Sequence, residues 1–308
     1  MEIALQFVLL ALGFVMLGKG ADWFVEGAAG IAMRFGIPQL VIGLTIVAMG
    51  TSAPEAAVSI AAAVKGNADI TIGNIVGSNI LNILVILGLA ASIVPIAVAR
   101  STVRIEIPFM IGVTALLFYQ GRDGSISLAD GGVLMVAFAA YMMYLYTMAM
   151  KSNVDSDLEE PGLPLGRCLL GAVGGLALII AGSNVTVGAA TSIATYAGLS
   201  ERFIGLTIVA LGTSLPELFT SVAAARRGNA DIAIGNIVGS NIFNILFVVG
   251  LSSLIIDIPF ASAFNFDNYV ALGAAVLLWL CVLRTQRLQR WAGALMLVCY
   301  AAYLGYIL

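Results

Sequence analysis

Residues 43–89 of this chain align with residues 205–251 at a constant offset of 162, without a gap, and 34 of the 47 paired positions are identical. Each copy carries a proline and a carboxylate inside an apolar run: Gly50-Thr51-Ser52-Ala53-Pro54-Glu55 and Gly212-Thr213-Ser214-Leu215-Pro216-Glu217. Further on, Gly73-Asn74-Ile75-Val76-Gly77-Ser78-Asn79-Ile80 recurs residue for residue at Gly235 to Ile242. Packing alone would preserve size and hydrophobicity; it would not call for Thr, Ser, Asn and Glu at matched positions. A carboxylate near a bilayer centre costs about 2.5–3.5 kcal/mol or more, so a duplicated one points to a functional site.

The bilayer is implied by composition. Hydrophobic residues make up 61% of the 308, charged residues 10%, and the mean hydropathy is +1.05; soluble domains carry about 25% charged residues. Apolar runs of spanning length recur throughout. Ten spans are predicted, at 3–18, 38–64, 69–94, 104–120, 131–150, 165–188, 200–225, 230–256, 268–284 and 290–307. Residues 1–3 lack a basic leader, so the first run reads as a span rather than a cleaved signal. The expected fold is an all-α polytopic membrane protein, with one five-helix repeat over 1–150, a short linker over 151–162, and a second repeat over 163–308.

Five spans per repeat is an odd number, so the second copy must enter the membrane inverted. Loop charge fits this. Lys19, Arg34, Arg100, Arg104, Lys151, Arg167, Arg226, Arg227, Arg284, Arg287 and Arg290 fall on one side, against Lys65, Arg122 and Arg202 on the other. The positive-inside rule makes the first side cytoplasmic, placing both termini outside and the 151–162 loop inside, in an inner or plasma membrane. Inverted repeats characterise one large class of secondary transporters, which bind substrate between the repeats near the midplane.

The duplicated motif supplies the chemistry of such a site. Pro54 and Pro216 lack an N–H, so the carbonyls of Gly50 and Gly212 lose their helical donors and each helix is expected to break, the first over 48–54. Broken backbone at membrane depth is tolerated only inside protein or beside a wet cavity. Two facing copies then offer two carboxylates, freed carbonyls and the hydroxyls of Thr51, Ser52, Thr213 and Ser214, all hard oxygen donors. Ca²⁺ accepts six to eight oxygens in flexible geometry, and Na⁺ accepts the same donors. The chain has no histidine, and Cys168, Cys281 and Cys299 are scattered, so a soft-metal site is not expected.

The next span of each repeat adds Ser78 and Asn82, and Ser240 and Asn244, each pair four residues apart on one helical face. Asn79 and Asn241 read as structural. Asp69 and Asp231 read as helix-start residues, and Lys65, Arg226 and Arg227 as snorkelling cations. Asp22, Glu26 and Glu106 lie near membrane edges and receive no substrate role. No enzyme activity is expected, because no nucleophile–base pair or histidine-bearing metal set is evident. An open channel fits poorly, because a two-sided site suits alternation better than a pore.

The paired Gly-Thr-Ser-X-Pro-Glu and Gly-Asn-Ile-Val-Gly-Ser-Asn-Ile motifs, in inverted repeats of five spans, resemble the sodium/calcium exchanger family of the cation/Ca²⁺ antiporter superfamily, in its compact prokaryotic form. The resemblance implies a secondary antiporter exchanging Ca²⁺ for Na⁺ by alternating access, with no cofactor. The alternative on the same scaffold is a Ca²⁺/H⁺ or K⁺-dependent Na⁺/Ca²⁺ antiporter. By the resemblance, Glu55 and Glu217 ligate Ca²⁺ with the carbonyls of Thr51 and Thr213. Sodium sites share the two acids and use the carbonyls of Ala48 and Ala210 with Ser52, Ser214, Ser78 and Ser240. Asn82 lines the centre, and Asn244 stands where many exchangers have Asp. The expected partners are these ions and membrane lipid, with no nucleic acid and a monomeric chain.

Overall fold

Pro38 and Pro164 sit at the entrances of helices, and Gly36 and Gly198 follow helix ends with φ of 60° and 79°. These residues set the frame of a nearly all-helical molecule. The structure is a computed structural model that describes residues 2–66, 68–152, 163–198, 210–262 and 264–307. Helix α1 covers Glu2–Phe35, α2 covers Gln39–Thr51 and α3 covers Ala53–Val64. Helix α4 runs through Asp69–Leu81, a π-helical stretch Asn82–Leu87, and Gly88–Ile93. Strand β1 (Ile96–Ala97) leads to α5, whose π-helical start Thr102–Glu106 continues into Ile107–Gln120. Strand β2 (Ser125–Ile126) and α6 (Leu128–Ser152) close the first half.

The second half repeats the order. Helix α7 is Leu165–Tyr196, α8 is Ala210–Thr213 and α9 is Leu215–Arg226. Helix α10 joins Ala230–Phe243, a π-helical stretch Asn244–Val249, and Gly250–Ile255. Strand β3 (Ile258–Pro259), α11 (Phe264–Leu283), β4 (Arg287–Leu288) and α12 (Arg290–Ile307) follow. Among the described residues eight helices are long and apolar enough to span a bilayer, and α2 with α3 makes a ninth, bent by 51°. Of the predicted span 200–225, residues 200–209 lie outside the described residues. So do residues 153–162 of the predicted linker.

Two spans run longer than predicted. The first was expected over 3–18 and the sixth over 165–188, yet α1 reaches Phe35 and α7 reaches Tyr196. Lys19, Asp22 and Glu26 do not stop α1, because charges do not break a helix. Its end is set by Gly36 in left-handed geometry, with Ile37 N–H bonding the Ala32 carbonyl at 2.9 Å and Pro38 beyond. At 1.5 Å per residue, α1 is about 51 Å long against a hydrocarbon core of about 30 Å. Tilt alone would require about 54°, more than spans adopt, so α1 must also overhang the bilayer. The overhang carries Asp22 and Glu26 to Arg227, which pairs with each at 3.2 Å instead of snorkelling to lipid.

Helices α1 and α7 pack antiparallel along most of their length. Gly13, Gly20 and Gly27, seven apart on α1, make this possible. A Cβ on Gly20 would sit 2.9 Å from the Gly175 carbonyl, and one on Gly175 would sit 2.7 Å from the Gly20 carbonyl. Small residues let membrane helices approach this closely, replacing a hydrophobic drive that lipid does not supply.

The core sits on α4 and α10. Their most apolar windows are 78% and 94% buried, against 17% for α1, α6 and α12, so the last three face lipid. Two short antiparallel ladders, β1 with β4 and β2 with β3, join the connections at the helix ends. The repeat offset maps the pair Ile96 with Leu288 onto Ile258 with Ile126, so each ladder is the other's image. The ladders and the Arg227 pairs bring together connections that the inverted topology assigns to a common side.

Candidate ion-binding site

The break predicted over 48–54 falls at Ser52, whose backbone (φ −82°, ψ 5°) ends α2 before α3 begins at Ala53. Ser214 does the same (φ −90°, ψ 3°) between α8 and α9. Pro54 and Pro216 occupy the first turns of the new helices, where a missing N–H costs nothing. Glu55 and Glu217 follow in those turns, where the helix dipole favours a negative charge. The Gly212 carbonyl, four residues before Pro216, accepts a hydrogen bond from Ser183 Oγ at 2.7 Å.

The two motifs meet across the repeats. Ser52 Oγ donates to Glu217 Oε1 at 2.8 Å, and Ser214 Oγ donates to Glu55 Oε1 at 3.3 Å. All four residues are buried, Glu55 and Glu217 at 1% exposure. On each carboxylate the second oxygen, Oε2, has no partner. A buried carboxylate oxygen with no protein partner is costly, and a cation is one group that satisfies it.

An asparagine lattice underlies the acids. Asn79 Nδ2 donates to the Asn241 carbonyl at 3.3 Å, and Asn241 Nδ2 to the Asn79 carbonyl at 3.2 Å. Asn82 Nδ2 donates to Asn241 Oδ1 at 2.9 Å, and Asn244 Nδ2 to Asn79 Oδ1 at 3.1 Å. Asn79 and Asn241 therefore tie the repeats together, as their structural reading anticipated. Their demand for donors fixes the amide orientation of Asn82 and Asn244, whose Oδ1 atoms are left buried and unpaired. Helix α3 packs on the π-helical stretch bearing Asn244, and α9 on the one bearing Asn82.

Several of the remaining predicted residues come together as well. Ser240 Oγ donates to the Ala48 carbonyl at 3.3 Å, joining two residues expected in one sodium site. Thr51 is fully buried and its hydroxyl bonds Asn236 Oδ1 at 3.0 Å. Ser78 is buried on α4, against which α8 packs with Ala210 at its start. Thr213 is half-buried at the end of α8. Among the described residues no three of His, Cys, Asp or Glu gather at one point. The cluster thus holds two buried acids among neutral oxygens.

Asn74 and Asn236, matched at the repeat offset, lie beside the acids. Asn236 Nδ2 bonds Ser221 Oγ at 2.9 Å and the Glu217 carbonyl at 3.4 Å. Asn74 Nδ2 does the same with Ser59 Oγ at 2.9 Å and the Glu55 carbonyl at 3.3 Å. Each thereby pins the helix that carries the carboxylate. The signal was in the alignment: Asn74, Ser59, Asn236 and Ser221 are all identical pairs at the repeat offset.

The family model described as sodium/calcium exchanger protein matches residues 5–147 and 168–308. The chain belongs to the sodium/calcium exchanger family. The two matched segments of this exchanger chain follow its two halves. It is 40% identical over 314 residues to the putative antiporter CaxA of Alkalimonas amylolytica, covering 98% of each chain. It is 33% identical over 345 residues to the sodium/calcium exchanger MaX1 of Methanosarcina acetivorans, again covering 98% of each. Among solved structures, the exchanger chain is similar to the sodium-calcium exchanger NCX_Mj soaked with 2.5 mM Na⁺ and 10 mM Sr²⁺. That match has a TM-score of 0.86 and 34% identity, and covers 98% of this chain and 99% of the other.

Proposed function

We propose that this chain exchanges Ca²⁺ for Na⁺ at one central cluster, and exports Ca²⁺ from the cytoplasm on the inward Na⁺ gradient. The observation that carries this is the reciprocal pair Ser52–Glu217 and Ser214–Glu55, with one bare oxygen left on each buried acid. Two carboxylates from opposite repeats make a site that either side of the membrane can reach by moving one half against the other. Ca²⁺ takes Glu55, Glu217 and the carbonyls of Thr51 and Thr213. Na⁺ shares the acids and uses Ser52, Ser214, Ser78 and Ser240 with the carbonyls of Ala48 and Ala210. Asn82 and Asn244 line the centre. The close Ser240–Ala48 contact supports one of these sodium positions.

Charge decides the energetics. One Ca²⁺ neutralises the two acids, whereas three Na⁺ leave a charge of +1. A three-for-one exchange would move one net charge and respond to voltage at about 2.3 kcal/mol per 100 mV. Asn244 supplies no ionisable group, so coupling rests on the two glutamates. Both termini lie outside and the 151–162 loop lies in the cytoplasm of a cell bounded by this inner or plasma membrane. The loop-charge bias supports this orientation. The chain works as a monomer in lipid.

Purified protein in Na⁺-loaded vesicles, diluted into Na⁺-free buffer, should take up Ca²⁺ and saturate. Uptake driven by a pH gradient and indifferent to Na⁺ would replace this reading with Ca²⁺/H⁺ antiport. Uptake that requires K⁺ alongside Na⁺ would replace it with the K⁺-dependent form.

A further inference from the structure

Among the described residues three charged side chains are fully buried: Glu55, Glu217 and Glu106. The central cluster accounts for the first two. Glu106 closes the π-helical stretch Thr102–Glu106 that opens α5, and its exposure is 0%. Pro108, two residues on, lacks an N–H. The Val103 carbonyl, five residues before it, accepts a hydrogen bond from Trp279 Nε1 at 2.9 Å instead.

Glu106 Oε1 accepts a hydrogen bond from the Tyr144 hydroxyl on α6. Its other oxygen, Oε2, has no partner, and neither does Tyr141 Oη, both of them buried. No basic side chain offsets the acid, because the ion pairs among the described residues are those of Arg227. Glu106 and Tyr141 line a cavity of about 120 Å³ between α5 and α6, together with Ile105, Phe109, Ala140 and Tyr144. A water in liquid occupies about 30 Å³, so the cavity has room for an ion and a residual water or two.

We infer that Glu106 and Tyr141 form a second binding site, for a monovalent cation, separate from the central cluster. One carboxylate is neutralised by one monovalent ion, whereas a divalent ion would leave a positive charge in an apolar pocket. The unpaired atoms are hard oxygens, which suit Na⁺ or K⁺. The site is one-sided. The repeat offset maps Tyr141 onto Tyr303 and Tyr144 onto Tyr306, but Glu106 onto Asn268. Asn268 is buried too, and both its polar atoms lack partners, but it has no charge with which to hold a cation. The inverted symmetry that holds in the central cluster is therefore broken here.

Trp279 provides a reporter, since its indole bonds the same turn that carries Thr102 and Glu106. Replacing Trp23 and Trp291 by Phe leaves it the sole tryptophan of the three. In the full-length protein, Na⁺ and K⁺ are titrated separately against N-methylglucamine at fixed ionic strength and pH, and pH is titrated without either ion. The expected result is a saturable fluorescence change with Na⁺ or K⁺ in the physiological range, preserved in Glu55→Gln/Glu217→Gln and lost in Glu106→Gln. Tyr141→Phe, which removes only a hydroxyl, should weaken binding several-fold and decides the matter if Glu106→Gln does not fold. A response to pH alone would mean that a proton or water fills the cavity, and would overturn the inference. So would a response that survives Glu106→Gln, or one that disappears with Glu55 and Glu217. Failure of Na⁺/Ca²⁺ exchange in vesicles would leave this result untouched, so the two readings fall separately.

Discussion

Replacing Glu217 by Gln tests the charge logic of the central site most directly. The side chain keeps its shape, and its carbonyl oxygen can still accept from Ser52, which lies 2.8 Å from Oε1 in the native protein. What changes is charge. With Ca²⁺ bound, Glu55 alone would leave a net +1 in a site whose acids are 1% exposed. Among the described residues no third acid stands close enough to join the two. An uncompensated charge at membrane depth costs about 2.5–3.5 kcal/mol, which corresponds to roughly 70- to 400-fold weaker Ca²⁺ binding. The true loss should exceed this, because Nε2 would place a donor where bare Oε2 now stands. The assay is initial Ca²⁺ uptake into Na⁺-loaded vesicles over a wide Ca²⁺ range, with thermal unfolding as the check on folding. Glu55→Gln should behave the same way, because each acid receives one serine bond from the opposite repeat. Half-saturation within a few-fold of the wild type, in a well-folded Glu217→Gln protein, would refute the assignment of the acids to Ca²⁺.

Ser240→Ala removes the hydroxyl that meets the Ala48 carbonyl at 3.3 Å; the half-saturating Na⁺ should rise several-fold while Ca²⁺ affinity holds, as read from Na⁺ inhibition of Ca²⁺ uptake. Asn241→Ala deletes the acceptor of Asn82 Nδ2 and one of two donors to the Asn79 carbonyl, which keeps the Asn82 backbone N–H; leaving Asn82 Nδ2 unpaired in the core should cost about 1–3 kcal/mol, visible as a lowered unfolding temperature in detergent. Gly20→Leu should prevent α1 from seating on α7, because even a Cβ there meets the Gly175 carbonyl at 2.9 Å, whereas a Cβ on Gly18 meets nothing within 4 Å and Gly18→Leu should be tolerated. Comparable yield and thermal stability of these two variants would refute the packing account.

The central site was legible in the sequence because its chemistry is local and duplicated. Proline, glycine and glutamate within six residues dictate a break beside a carboxylate, and the offset of 162 says that two such breaks must meet. The structure puts the break at Ser52 and joins the motifs through Ser52 and Ser214. The asparagine lattice was visible only as identities: a buried amide can serve as ligand or tie, and its partners decide which. Helices α1 and α7 run past the spanning length that apolar runs suggest, α1 through Lys19, Asp22 and Glu26 and α7 through uncharged residues to Tyr196. Their true ends were marked by Gly36 with Pro38 and by Gly198. The seven-residue spacing of Gly13, Gly20 and Gly27 was also in plain view. Its meaning depends on the matching glycines of α7, a contact 150 residues or so away that no local pattern announces. Glu106 was read by its position at a span edge, whereas its burial depends on α6 closing over it.

The places where the two repeats agree and disagree bear on how an exchanger of this kind works. A site that must present the same ion to both sides gains from identical ligands in each half, and three reciprocal pairs of buried hydrogen bonds join the halves around Glu55 and Glu217. The routes to that site need not be alike, because two gates that opened together would leak. Two differences lie outside the cluster. Ser183 holds the Gly212 carbonyl, while Ala21, its counterpart at the repeat offset, has no hydroxyl to offer Gly50. Arg227 is paired with Asp22 and Glu26, whereas Lys65 at the matching position would face Asn184 and Gly188 at theirs. A latch on one repeat and none on the other biases which half moves first. Ser183→Ala should therefore shift the balance between inward- and outward-facing forms without altering the ligands. It should change the apparent Na⁺ and Ca²⁺ affinities measured from one side in opposite sense to those measured from the other. Equal shifts from both sides would place Ser183 in the ion site itself and would remove the latch from this account.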